Sequence, residues 1–361
     1  MRIPRSRSWS SLSSIALSSL GPLLALTLLT SCGSSAGSDN GDPKTLVVAT
    51  HDSWAMSKDV LADFKKQTGI TVKAQPQGDA GALTNKLVLT KDSPLADGVY
   101  GIDNSFASRA VDEGVLSAYS SKALVKSADA FELEGQGADK LTPVDYSDVC
   151  VNVDDTWFAA RKLPAPKSLE DLTEPAYKGL FVTPGATTSS PGLAFLLATI
   201  GAEGAGWQEY WEKLMANGAK VTAGWSDAYE VDFTAGGGKG DRPIVTSYSS
   251  SPPFTIPEGE THPTTHALLD TCFRQVEYAG VLKGSKNPEG MRKFIDFMLG
   301  REFQAALPDN MYVYPVDSSV ALPKAWATFA KVAPNPVAID ADDITEHRTE
   351  WLREWRDITS Q

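Results

Sequence analysis

Short apolar runs alternate with longer amphipathic segments along most of the chain. TLVVAT (residues 45–50) is an apolar run of strand length, and residues 56–67 carry Val60, Leu61 and Phe64 on one helical face. Gly69 predicts the end of this helix, and ITVKA (residues 70–74) alternates as a second strand. By the same reasoning we expect strands at 97–102, 144–153, 180–183, 244–248 and 272–279, and helices at 81–90, 104–113, 191–200, 206–216, 288–299, 301–306 and 340–358.

This order of elements predicts an α/β protein with two lobes, each a mostly parallel sheet flanked by helices. The long extended runs at 144–153 and 272–279 bracket a middle block with its own strands and helices. We therefore expect a discontinuous first lobe from residues 44–146 and 276–361. The second lobe is residues 147–275, and two hinge crossover strands connect the lobes. On the last predicted helix, Trp351 and Trp355 lie four residues apart among charged residues, which indicates a docking stripe.

The first 43 residues have the pattern of an export and anchoring segment. Three arginines precede an apolar run at 15–29 that is too short to span a membrane, so residues 1–31 are predicted to be a signal peptide. LTSC (residues 29–32) resembles the lipobox of bacterial lipoproteins, which implies lipidation of Cys32. Residues 32–43 are then the lipidated cysteine and a flexible tether. We expect an extracytoplasmic protein anchored to the cell membrane by this lipid alone.

Charge and cysteine content narrow the function further. The net charge is −12, and removal of the three signal-peptide arginines leaves −15. An acidic surface argues against nucleic acid as a partner and is compatible with a small cationic ligand, although solubility also explains it. With Cys32 lipidated, Cys150 and Cys272 remain. Two thiols in an oxidising compartment favour one disulfide over two buried free thiols, and this bond would join the two crossover strands.

The sequence lacks the motifs of common catalytic and metal sites. It has four histidines and no H-E-x-x-H, C-x-x-C or G-x-S-x-G spacing, and GGGKGDR (residues 236–242) does not match a phosphate-binding loop. We expect no metal site and no cofactor. A binding protein is favoured over an extracytoplasmic hydrolase, which would need an activated nucleophile or paired carboxylates in a cleft.

Polar or aromatic stretches occur where predicted strands meet loops or helices. In an open parallel sheet, ligands bind outside the carboxyl ends of the strands. Each stretch also has an ordinary alternative, such as Ser189 or Asp103 capping the next helix. Trp225 and Tyr229 are four residues apart. This spacing is compatible with two core residues or with a stacking wall for a flat ligand. The stretches are ATHDSW (49–54), GIDNS (101–105), TTSSPG (187–192), GWSDAY (224–229) and TSYSSSPPF (246–254).

Together these stretches resemble the periplasmic thiamine-binding proteins of bacterial ABC importers, over nearly the whole mature chain. The most specific pieces are TSSPGL (188–193), GWSDAY (224–229), SYSSSP (247–252), QVE (275–277), FIDFM (294–298) and YVYPV (312–316). The resemblance implies the two-lobed periplasmic-binding-protein fold of type II, closing on its ligand. It also implies a monomeric receptor that delivers thiamine, or its mono- or diphosphate, to the membrane subunits of an ABC permease.

The same resemblance implies a ligand pocket. Trp225 and Tyr248 would be aromatic walls for the thiazolium cation, with Ser189 and Asp79 as polar contacts. The hydroxyl-rich start of the next helix, which includes Ser190, would hold the hydroxyethyl or phosphate end of the ligand. Asp103 is a supporting candidate, and Tyr229 would contribute directly or pack behind Trp225.

Three positions depart from the family pattern. His51 and Phe254 stand where the family has tyrosines, and Tyr312 stands in place of a tryptophan. These departures leave the preferred form of thiamine open. The alternative ligands are a polyamine, a phosphonate or a ferric ion. The ferric class expects adjacent tyrosines, whereas Val313 separates Tyr312 from Tyr314.

Overall fold

The computed structural model describes residues 44–360. The predicted signal peptide, the lipidation site Cys32 and the tether lie outside the described residues. The strands are β1 (Thr45–Thr50), β2 (Thr71–Pro76), β3 (Gly98–Asp103), β4 (Leu116–Ser117), β5 (Thr142–Asp154), β6 (Phe181–Pro184), β7 (Lys220–Thr222), β8 (Ile244–Tyr248), β9 (Thr265–Leu282) and β10 (Tyr314–Pro315). The α-helices are α1 (Lys58–Thr68), α2 (Ala80–Leu89), α3 (Ala107–Asp112), α4 (Asp155–Arg161), α5 (Ser190–Glu203), α6 (Trp207–Ala216), α7 (Pro288–Met298), α8 (Arg301–Met311), α9 (Lys324–Phe329) and α10 (Ala341–Thr359).

The strands form one sheet with the main order β2-β1-β3-β9-β5-β8-β6-β7. β1 pairs in parallel with β2 and β3, and we call these three strands the first strand set. β6 pairs in parallel with β7 and β8, and these three form the second strand set. β5 and β9 run antiparallel to each other and lie between the two sets. The expected α/β architecture, with two parallel sets and two long crossing strands, is confirmed.

Local sequence explains how the helices begin, end and pack. Ser57 caps α1, and Gly69 ends it with a left-handed φ of 75°, as predicted. α5 is buried along its length from Ser190 to Ile200, which is why its sequence is apolar on every face. On α10, Trp355 is buried and its ring meets that of Trp211 on α6 edge to face at 5.6 Å, so the predicted docking stripe is confirmed.

Cys150 and Cys272 form a disulfide, with their Cα atoms 4.2 Å apart and both side chains fully buried. Cys150 lies on β5 and Cys272 on β9, where the register of this ladder shifts between Val149 and Val151. The bond therefore connects the two crossing strands, as the cysteine content predicted. Among the described residues, no helix is both long and apolar enough to cross a membrane.

Several elements differ from the predicted bounds. α8 does not end at residue 306 but continues through Pro308 to Met311, because its last turn buries Leu307 and Met311 in the core. β9 begins at Thr265, seven residues before its predicted start at 272. Residues Asp227–Asp232 form a π-helix, in which the amide of Phe233 donates to the carbonyl of Ala228.

Candidate functional site

A cavity of about 430 Å³ lies between the carboxyl ends of the two strand sets. His51 follows β1 and Asp79 follows β2, while Trp225 follows β7 and Tyr248 is the last residue of β8. All four line the cavity, together with Ser190 at the start of α5 and Tyr312 at the end of α8. The cavity is therefore at the edge of the sheet where an open parallel sheet binds ligands.

The structure brings six of the ten predicted site residues together in this lining: His51, Asp79, Ser190, Trp225, Tyr248 and Tyr312. The other four lie outside it. Ser189 is fully buried and its Oγ accepts from the amide of Gly192, so it caps α5. The Oδ1 of Asp103 accepts from the amides of Ser105 and Phe106 at the turn into α3. Ser189 thus has the capping role that its sequence context also allowed, whereas Asp103 holds a turn before α3, whose N-cap Phe106 has no side-chain cap.

The remaining two residues pack behind or beside lining aromatics. The ring of Tyr229 stacks on that of Trp225, with centroids 5.0 Å apart and planes inclined by 11°. The ring of Phe254 lies against that of Tyr312, with centroids 3.8 Å apart. Tyr229 is thus buried behind the wall, and Phe254 supports Tyr312 from a partly exposed position.

Hydrogen bonds at both ends of the residue hold Trp225 in place. Its backbone amide donates to Oδ2 of Asp79 at 3.2 Å, and its indole Nε1 donates to Oγ of Ser247 at 2.9 Å. The rings of Tyr248 and Tyr312 lie 6.0 and 6.1 Å from the Trp225 ring. These three aromatic residues form one wall of the cavity, with Trp225 held at its backbone and at its ring.

The lining is strongly acidic. Five carboxylate residues line it, and among the described lining residues there is no lysine or arginine. His51 is the only histidine among the described residues of the lining, and its Nε2 lies 3.4 Å from Oε1 of Glu277. A partly enclosed, acidic and aromatic cavity favours an organic cation. The five carboxylates are Asp52, Asp79, Glu230, Glu277 and Asp309.

A buried acidic network lies beneath this lining. The hydroxyl of Tyr100 donates to Oδ2 of Asp145 at 2.6 Å and to Oε2 of Glu277 at 3.3 Å. Burial, followed by the charge of Glu277, raises the pKa of Asp145 well above its usual range. Burial also raises the pKa of Asp103 to about 7. The carboxyls below the cavity therefore favour their neutral forms more than ordinary aspartates do.

The start of α2 touches the segment before α5 directly beside the cavity. The amides of Gly81 and Ala82, at the start of α2, donate to the carbonyl oxygen of Thr188 at 3.1 and 3.2 Å. Asp79 also accepts a hydrogen bond from the amide of Trp225, which follows β7 of the second strand set. A Cβ atom on Gly81 would lie 2.9 Å from the carbonyl carbon of Thr188, so this close contact requires glycine.

Sequence reasoning did not assign several lining residues as ligand contacts. Glu230 lies on the π-helix, whose extra residue per turn changes which side chains face the cavity. Asp309, Asn310 and Met311 belong to the last turn of α8, beyond its predicted end. Trp54 and Glu277 stood inside quoted stretches: Trp54 lies in the loop after the first predicted strand, and Glu277 lies within the predicted strand 272–279, which gave no signal of a ligand contact.

Comparisons with known proteins agree with this geometry. Residues 93–333 match the family described as bacterial extracellular solute-binding protein. The thiamine-binding periplasmic protein of Salmonella typhimurium is 31% identical over 325 residues, covering 88% of this chain and 94% of that protein. The protein of the same name from Brucella suis is 31% identical over 328 residues, covering 88% and 92%.

The fold agrees as well. A solved structure named periplasmic thiamin binding protein matches with a TM-score of 0.76 and 29% sequence identity, covering 88% of this chain and 96% of that one. Sequence, strand order and cavity position lead to one conclusion: the chain belongs to the family of bacterial extracellular solute-binding proteins.

Proposed function

We propose that the protein is a receptor that captures thiamine in the 430 Å³ cavity and delivers it to an ABC permease. The observation that carries this proposal is the wall of Trp225, Tyr248 and Tyr312 beside five carboxylates. Thiamine combines a flat aminopyrimidine with a thiazolium whose positive charge cannot be lost by deprotonation. Aromatic faces attract such a cation by roughly 0.5–2 kcal/mol each, depending on desolvation. The names of the two relatives that are 31% identical to this chain support this choice of ligand.

Two polar residues of the lining suit the two polar groups of the ligand. Asp79 is a carboxylate able to accept from the exocyclic amino group of the aminopyrimidine. Oγ of Ser190 is buried, lines the cavity and has no hydrogen-bond partner among the described residues. It is available to the hydroxyethyl group, since a buried hydroxyl without a partner gains from a ligand that supplies one.

Unphosphorylated thiamine is the preferred form in this proposal. A phosphate group would add negative charge to a lining that already holds Glu230 and Asp309 and has no lysine or arginine among its described residues. The expected order of affinity is thiamine, then its monophosphate, then its diphosphate. Release of phosphate from thiamine phosphates is not expected, because the role proposed for the cavity is binding without turnover.

Other solutes fit the cavity less well. A polyamine suits the carboxylates but makes little use of three rigid aromatic rings. A ferric ion would need the phenolates of Tyr312 and Tyr314 to converge, yet Tyr314 is buried and stacks on Tyr146 at 5.3 Å. No group of three potential metal ligands occurs among the described residues. Parallel titrations with spermidine and with ferric citrate separate these candidates from thiamine.

The location and partners follow from the sequence. The signal peptide and the lipobox support an extracytoplasmic protein held at the membrane by a lipid on Cys32, and a monomer that meets the permease subunits there. Cys32→Ser tests the anchor: the variant should appear in the soluble extracytoplasmic fraction. If it stayed with the membrane, the anchoring role of Cys32 would be wrong.

Calorimetric titration of the wild type, Trp225→Ala and Trp157→Ala tests the ligand and the wall together. Trp157 is the matched control, because it lies on α4 against Arg161 and does not line the cavity. We expect saturable thiamine binding to the wild type and the control, and at least about tenfold weaker binding to Trp225→Ala. Equal affinity of all three proteins would remove Trp225 from the site.

A further inference from the structure

A second cavity, of about 220 Å³, lies where α10 meets α3 and the segment before α5. Four arginines line it: Arg109 from α3, and Arg348, Arg353 and Arg356 from α10. Asn85 on α2 and Thr187 before α5 also contribute, and no carboxylate is among its described lining residues. In a chain with a net charge of −12, four guanidinium groups around one small cavity are a local exception.

Within the part of the chain that the structure describes, most of these guanidinium groups have no ionic partner. Arg353 pairs with Glu350 at 3.2 Å, in an exposed contact within α10. Among residues 44–360, no carboxylate oxygen lies within 4.0 Å of a guanidinium nitrogen of Arg109, Arg348 or Arg356. Asp103 and Asp112 act on Arg348 only from farther away. The positive charge of the cavity is therefore largely uncompensated.

Burial makes this arrangement unusual. Arg348 is only 8% exposed, and its guanidinium donates to the carbonyl oxygen of Ser105 at 3.2 Å. Nε of Arg109 is buried and has no hydrogen-bond partner among the described residues. Burial lowers the pKa of Arg348, and the charge of Arg109 lowers it further. Two close, partly buried like charges with an unused donor are stable together when an anion lies between them.

We propose that this cavity is a binding site for a small phosphate-type oxyanion, separate from the thiamine cavity. Guanidinium forks match the oxygens of a phosphate, and the side chains of Thr187 and Asn85 supply further donors. The donors come from three places: α2 and α3 beside the first strand set, the segment before α5 beside the second, and α10. A bound anion would connect these three segments and stabilise their contact.

Calorimetric titration of the full-length, detergent-solubilised protein with inorganic phosphate at low ionic strength tests the proposal. We expect saturable binding of one phosphate per chain, and an increase in Tm on adding phosphate. Glycerol phosphate is titrated in parallel. If it binds more tightly than inorganic phosphate, the natural anion is a phosphomonoester such as a lipid headgroup; if it binds more weakly, the natural anion is free phosphate.

One variant at exposed positions keeps the test independent of folding, and a second variant changes a partly buried arginine. The double variant Arg353→Gln/Arg356→Gln changes two exposed side chains, and Arg109→Gln removes the buried donor. Each should weaken phosphate binding by at least about tenfold. Arg161→Gln, on α4 and away from the cavity, removes one positive charge as Arg109→Gln does, so it is the matched control for that variant and should leave binding unchanged. Trp225→Ala should also leave it unchanged, because that residue belongs to the other cavity.

Three results would overturn the proposal. The first is no saturable heat up to about 10 mM phosphate. The second is an equal loss of affinity in Arg161→Gln and in the cavity variants, which would indicate general electrostatic attraction. The third is binding of an acidic peptide, but not of phosphate, at these arginines, which would identify a protein-docking surface instead.

Discussion

Replacing Gly81 by alanine places a methyl group in the contact between the two strand sets. The new Cβ would lie 2.8 Å from Cζ of Phe106, 2.9 Å from the carbonyl carbon of Thr188 and 3.0 Å from the carbonyl oxygen of Thr187. The ring of Phe106 is the end of a side chain and can shift. The atom of Thr188 belongs to the backbone and cannot rotate away. To reach ordinary contact distance, α2 and the segment before α5 must therefore separate by about 0.5 Å.

That separation removes two hydrogen bonds. The bonds from the amides of Gly81 and Ala82 to the oxygen of Thr188 measure 3.1 and 3.2 Å, and both would lengthen beyond bonding distance. At about 1 kcal/mol each, their loss weakens the closed arrangement by about 2 kcal/mol, or about 30-fold in ligand affinity. Alanine is also a better helix former than glycine by about 1 kcal/mol, so α2 itself does not lose stability.

The assay therefore measures two quantities on the same protein. We expect this contact to form only as the two sides close on the ligand. Calorimetry should therefore show weaker thiamine binding, while urea denaturation without ligand should show an unchanged or slightly higher free energy of unfolding. Gly206→Ala is the matched control, because a Cβ at that position would meet no atom within 4 Å. Unchanged affinity in Gly81→Ala, with unfolding behaviour like the control, would refute the idea that this contact forms as the ligand is enclosed.

Three further predictions concern specificity, pH and the disulfide. Glu230→Gln should raise the affinity for thiamine monophosphate relative to thiamine by about fivefold, because it removes one negative charge from the lining; an unchanged ratio of the two dissociation constants contradicts this. Asp103 has a folded pKa of about 7 against an ordinary 3.8, so its stabilising contribution is complete below pH 3.8 and is lost as the pH rises through 7. That loss amounts to about 4 kcal/mol at most, and Asp103→Asn should flatten the fall in unfolding free energy between about pH 4 and pH 7; an unaltered slope would show that Asp103 does not cause it. Replacing Cys150 and Cys272 together by serine should lower the unfolding free energy by up to about 5 kcal/mol, since the bond closes a loop with a sequence separation of 122; free thiols in the wild type by mass measurement would dismiss the bond.

The strand ends were the most predictable part of the site. His51 and Tyr248 follow directly from the strand pattern, because the residue after a buried parallel strand lies at the carboxyl edge of the sheet. The Trp225–Tyr229 pair shows the limit of spacing arguments. Both rings are nearly buried and stacked, yet only Trp225 lines the cavity, and a spacing of four residues is compatible with either outcome.

Capping residues could not be separated from ligand contacts by sequence. Ser189 and Asp103 lie where a hydroxyl or a carboxylate serves a helix start as well as a ligand, and which one it serves depends on the path of a few backbone amides. Ser190, one residue further along, is the one that lines the cavity.

The acidic residues Glu230 and Asp309 of the lining were the least predictable part of the site. Pro308 favours an earlier end to α8, since proline lacks an amide donor, but burial of Leu307 and Met311 carries the helix on and places Asp309 at the cavity. Glu230 reaches the cavity from a π-helix, an element that no local pattern in this sequence indicates. Both depend on tertiary packing rather than on local propensity.

The central claim is that the aromatic and acidic cavity is a receptor site for thiamine. Calorimetric titration of the purified protein with thiamine tests this most directly. The account predicts saturable one-to-one binding with a dissociation constant in the micromolar range or below, as a receptor for a dilute nutrient requires. No saturable heat with thiamine at tens of micromolar would contradict it.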